Sequence, residues 1–156
     1  MATNKTKPAK QGGPRSAARL AVVQAFYQLS MADEPNAAKT AEEYISHRLG
    51  AEIEGDQYVA ADADLFKDIL IGAWDRRDEW NKLIEAHLSQ GWTLDRIDKI
   101  LMAALSAGSY ELSARIDVPT AVVINEYVDV VHGFYENAEA AFVNSVLDKI
   151  AKQVRS

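Results

Sequence analysis

From residue 15 onward apolar side chains return every three or four positions, and no stretch alternates strictly for more than a few residues. That period belongs to an α-helix packed on one side, so the chain is expected to be all-α. Asn36, after Pro35, reads as the N-cap of a helix whose buried stripe is Ala41, Tyr44, Ile45 and Leu49, ended by Gly50. Residues 50–61 lack an apolar period and read as the one long internal loop. Asp62 and Asp64 favour a helix start, and Leu65, Phe66, Ile69, Leu70, Ala73 and Trp74 then cover nearly half a circumference, which predicts a largely buried helix. Trp80, Leu83, Ile84, His87 and Leu88 make a further helix or a bent continuation before Gly91. Ile97, Ile100, Leu101, Ala104, Leu105, Gly108 and Leu112 hold the pattern for longer and are expected to form the central helix. Pro119 suits the first turn of the next, with Val123, Tyr127, Val130, Val131 and Phe134 on its buried side, and Val143, Val146, Leu147, Ile150 and Val154 mark the last. The total is roughly seven helices with mostly short connections and no solenoid repeat.

A chain of 156 residues can close a hydrophobic core as one domain, here residues 15–156 behind a flexible basic tail over 1–14. No apolar run approaches the roughly 20 residues that a spanning helix needs, and the tail lacks the apolar stretch of a secretory signal. Cysteine is absent, which excludes disulfides and thiolate metal sites and fits a reducing, cytoplasmic setting. Net charge is −6, unevenly placed: Lys5, Lys7, Lys10, Arg15 and Arg19 precede residue 20 with no acidic residue among them, while the rest carries 12 basic against 23 acidic residues. Contact with a polyanion should therefore be local and near the N-terminus, although a basic tail can equally serve solubility.

On the first helix, Val22, Phe26 and Leu29 fall on one side and Leu20, Val23, Tyr27 and Met31 on roughly the opposite one. Two apolar faces require two partners, supplied by the bundle alone or by the bundle and a second molecule. Arg15 and Arg19, four apart, share a face that could grip successive phosphates, or they could be two solvated arginines. Glu126, Asp129 and His132 are spaced for a pairwise metal contact but lack a complementary pair elsewhere, so they read as polar-face residues. His47 and His87 stand in no motif, and neither a phosphate loop nor a nucleophile elbow occurs. No enzyme activity, cofactor or metal is expected.

The C-terminal half carries Tyr110-Glu111-Leu112, Asp117-Val118-Pro119, Ile124-Asn125-Glu126, Phe142-Val143-Asn144 and Leu147-Asp148-Lys149-Ile150 in order. With Ala18-Arg19, Val23-Gln24-Ala25-Phe26-Tyr27 and Trp92-Thr93-Leu94-Asp95-Arg96-Ile97 before them, the sequence resembles the NusB family over about residues 15–152. The resemblance implies two small helical bundles sharing a helix. It also implies a non-catalytic role in transcription antitermination and ribosomal RNA synthesis, with binding of boxA RNA alongside the ribosomal protein NusE in a complex on RNA polymerase.

The same likeness implies RNA contact by Arg15 and Arg19 and by Phe142 and Asn144, and partner contact by Tyr27 and Met31; Lys10 from the tail, Gln24 and Phe134 are further expected RNA contacts, and Leu101 a further partner contact. Stacking rings and an edge-reading amide suit single-stranded RNA, although a Phe near an apolar stripe can simply be core. Tyr and Met suit an interface as a rigid anchor and an adaptable contact. The sequence departs from the family at Ala141, where Lys is usual, and at Ser145, where Gly is usual. Leu101-Met102 replaces a common Glu-Arg pair and Ser106 a common Arg. An adaptor or homodimer of the same fold, burying the Tyr27/Met31 face without binding RNA, is the alternative.

Overall fold

The computed structural model describes residues 13–49 and 61–155, so Lys5, Lys7, Lys10, Gly50 and nearly all of the expected loop lie outside the described residues. Seven α-helices occur among the described residues: α1 Pro14–Met31, α2 Ala37–His47, α3 Ala63–Asp75, α4 Arg77–Ala86, α5 Lys99–Ala114, α6 Thr120–His132 and α7 Asn137–Val154. A 3₁₀ turn, Leu94–Arg96, precedes α5, and no strand is present among the described residues. Helix starts follow local chemistry: the side chains of Asn36, Asp62 and Asp98 accept from the amides of Lys39, Leu65 and Ile100 at 2.9–3.0 Å. Pro119 stands one residue before α6, just outside its first turn.

α1, α2 and α3 pack together as one group and α4 to α7 as a second; α5 touches both, lying against α1, α3, α4, α6 and α7. This is the shared-helix arrangement expected, with α5 as the central helix. Ala103, Ala104, Ser106, Ala107, Gly108 and Ser109 make its middle almost wholly of small residues, so neighbouring helices can approach on all sides. Ser106, where the family often has Arg, is buried in this packing.

The apolar pattern held along α3, where all six predicted core residues are buried, and failed in two places. Ile45 is exposed, because α2 buries Ala37, Thr40, Ala41 and Tyr44 instead. Phe134 does not line the buried side of α6: the helix ends at His132, and the ring is 45% exposed on the connection to α7.

Candidate nucleic-acid and partner interface

α1 sets the geometry of the site. Its inner face, Val22, Val23, Phe26 and Leu29, is buried, whereas Leu20, Gln24, Tyr27 and Met31 are exposed. Those four fall within a narrow arc by the 100° step, and Ser16 extends the arc by one turn. Val23, predicted to share their side, belongs to the core, so the second face is narrower than expected and centred on a polar residue, Gln24.

One groove opens along this stripe, and a second lies beside the 3₁₀ turn. The first, of about 530 Å³, runs between α1 and α6 and is lined by Ser16, Leu20, Gln24, Glu126, Asp129 and Phe134, among others. Gln24 and Phe134, both named as expected RNA contacts, line this one groove. Burial holds the Asp129 carboxyl above its usual range, the nearby charge of Glu126 adds to this, and His132 opposes it. The second groove, of about 360 Å³, lies between the 3₁₀ turn, the start of α5 and α7, and contains Trp92, Leu101, Tyr135 and Phe142. Leu101 is buried in its floor, while Trp92 is 46% exposed and lies 5.8 Å from the Phe142 ring, tilted by 35°. Burial raises the Tyr135 phenol far above its ordinary range, as does its hydrogen bond to Asp98, with smaller contributions from Glu139 and Tyr27. Tyr135 lines the second groove and its chain neighbour Phe134 lines the first.

One expectation is corrected by this arrangement. Arg19 is not a surface arginine: it is 2% exposed and its fork closes on Glu111, with Nε to Oε1 at 3.0 Å and Nη2 to Oε2 at 2.6 Å. Its Nη1 reaches Glu126 Oε1 at 3.1 Å, which also accepts from the Ser16 hydroxyl at 2.7 Å, while Tyr127 donates to Glu111 at 2.9 Å. Burial alone would lower the guanidinium's proton affinity, but the Glu111 hydrogen bonds and charge outweigh it, so Arg19 stays charged and no arm is left for a phosphate. Arg15 is exposed in the first turn of α1, yet the face it shares with Arg19 points elsewhere than the groove stripe. Phe142 and Asn144, two apart on α7, cannot share a face; Phe142 borders the second groove and Asn144 is exposed to solvent.

Sequence reasoning missed the Arg19, Glu111, Glu126 and Tyr127 cluster and the exposed Trp92. The cluster had a signal, since Glu111 interrupts the apolar face of a helix otherwise made for the core, and a carboxylate there requires a cation. Among the described residues no group of three His, Asp or Glu side chains is placed to hold a metal ion, and Glu126, Asp129 and His132 are polar-face residues lining the first groove. No described helix is long and apolar enough to cross a membrane.

A helical scaffold that presents two adjoining open grooves, lined by rings, amides and carboxylates, defines a module for recognising another macromolecule. The NusB family model matches residues 16–152. The transcription antitermination protein NusB of Novosphingobium aromaticivorans is 50% identical over 144 residues, covering 92% of this chain and 97% of that protein. T. maritima NusB has the same fold with a TM-score of 0.74 at 26% identity, over 90% of this chain and 92% of that one. A chain in the crystal structure of antitermination factors NusB and NusE in complex with dsRNA shares the fold with a TM-score of 0.68 at 23% identity, over 88% and 96%. The chain belongs to the NusB family, one of non-enzymatic, RNA-binding transcription antitermination factors.

Proposed function

We propose that this protein binds boxA-type single-stranded RNA together with NusE, within an antitermination complex on RNA polymerase that supports ribosomal RNA transcription. The observation that carries the reading is the exposed α1 stripe of Leu20, Gln24, Tyr27 and Met31, of which Leu20 and Gln24 line the groove that holds the Phe134 ring. Unpaired bases stack on such rings and present their edges to groups such as the Gln24 amide. Arg15, in the first turn of α1 where the helix dipole is positive and no acidic residue lies, faces away from the groove stripe and serves a phosphate where the strand passes the start of that helix. Tyr27 and Met31, with Leu101 beneath the second groove, form the partner side. Asn144 stands apart on α7 and reads an edge only where the strand crosses that helix. The 97% coverage of a NusB relative and the shared fold of a chain solved with NusE and RNA support this reading.

Titration of a boxA oligonucleotide at several salt concentrations, with and without NusE, tests it. Binding is expected to weaken steeply with salt, Arg15→Ala to flatten the log–log slope by about one unit, and NusE to tighten the RNA complex. Absence of RNA binding even with NusE present would leave the adaptor or homodimer reading. Sedimentation at several concentrations, with Tyr27→Asp as the disrupting variant, would then identify the homodimer.

A further inference from the structure

One carboxylate oxygen in the second groove has nothing to bond. Glu139 Oε1 is shielded from solvent, and no donor among the described residues reaches it. A buried acceptor left unpaired is unfavourable, and a donor arriving from outside would remove that penalty. Two of the groove's other polar residues are already engaged. Asp98 Oδ1 accepts from the Ile100 amide and the Tyr135 hydroxyl. Arg96 lies over the Trp92 ring, 5.3 Å from its centroid, and donates to the Gly91 carbonyl at 3.0 Å.

The occupant that fits is a flat cation. Two carboxylates against one guanidinium give the groove a negative bias that repels a phosphodiester and attracts positive charge. The Trp92, Tyr135 and Phe142 rings line the groove, a lining that suits a cation, and about 360 Å³ is room for one long side chain rather than a folded segment. A guanidinium both stacks on such rings and presents paired N–H groups to a carboxylate, whereas an ammonium only approximates the second.

We propose that this groove is a socket for an arginine side chain of a protein partner, with the guanidinium hydrogen-bonded to Glu139 and set against the Trp92 and Tyr135 rings. The inference rests on the partner reading above, because Leu101, placed there on the partner side, lies in the floor of the socket.

Two experiments separate the socket from the rest of that reading. In the first, the full chain is titrated with N-acetyl-arginine methylamide, N-acetyl-lysine methylamide and uridine monophosphate, while the indole N–H of Trp92 is followed by NMR. Trp74 and Trp80, both buried, serve as internal references. The arginine probe is expected to shift Trp92 saturably, the lysine probe more weakly and the nucleotide not at all. Glu139→Gln, whose thermal midpoint should match the parent protein, is expected to weaken the arginine probe about tenfold. Saturation by the nucleotide but not by arginine, or an unchanged arginine affinity in Glu139→Gln, would overturn the socket. In the second, calorimetry of NusE binding is expected to show a similar tenfold loss for Glu139→Gln with RNA affinity of the free chain retained; an unchanged NusE affinity would overturn the partner assignment. Should NusE fail to bind the parent chain, the reading of the α1 face falls, and the arginine titration alone decides the socket.

Discussion

Arg19 is a cation enclosed by the protein it was expected to extend from, and its neighbours decide what its removal does. Glu111 is fully buried, so Arg19→Met leaves an uncompensated carboxylate beside Tyr127. The expected loss is about 3–5 kcal/mol, read from urea denaturation, and Glu111→Leu added to it should recover part of that loss. Arg15→Ala, at an exposed position, should change stability by no more than about 0.5 kcal/mol and act on RNA affinity alone. The tyrosines give a pH dependence. Tyr110 is pushed up to about 12 by burial and by its hydrogen bond to Asp68 at 2.7 Å. Its folded value exceeds the ordinary 10.0, so the stability it contributes is present below pH 10 and lost as pH rises from there towards 12, where the unfolded chain ionises first. Burial raises Tyr127 in the same direction. The urea midpoint should therefore fall across that window, and less steeply in Tyr110→Phe.

At the scale of the elements, α3 was legible because its stripe is wide enough to leave no choice of inner face. α1 was only half legible: two apolar sides were visible, but whether each met the bundle or solvent depended on what packed there. Gly72 shows a constraint of this kind. A Cβ at Gly72 would lie 2.1 Å from Tyr110 Cε1, so α3 and α5 approach at a point where only hydrogen fits. Gly72→Ala is expected to destabilise by about 1–3 kcal/mol despite a better helix propensity, seen as a lower thermal midpoint. Asp62→Ala, which removes the cap of the Leu65 amide at the start of α3, should cost about 1 kcal/mol in the same measurement.

For the whole molecule, Gln24 of the proposed RNA surface and Tyr27 and Met31 of the partner surface lie on one exposed edge of α1, with the buried Arg19 cluster tying α1 to α5 and α6 behind it. Ligands placed side by side on one stripe can couple, and reciprocity requires that NusE tighten RNA by the same factor as RNA tightens NusE. Calorimetry in both orders checks this. The sequence by itself determined the helical class, the number of helices, the central place of α5 and the family, because these depend on local periodicity and on motifs read along the chain. Tertiary structure alone decided that Arg19 is enclosed, that Phe134 is exposed and that Trp92 borders a groove. Each of those outcomes depends on which residues distant in sequence arrive beside a given side chain, and a one-dimensional pattern carries no record of such neighbours.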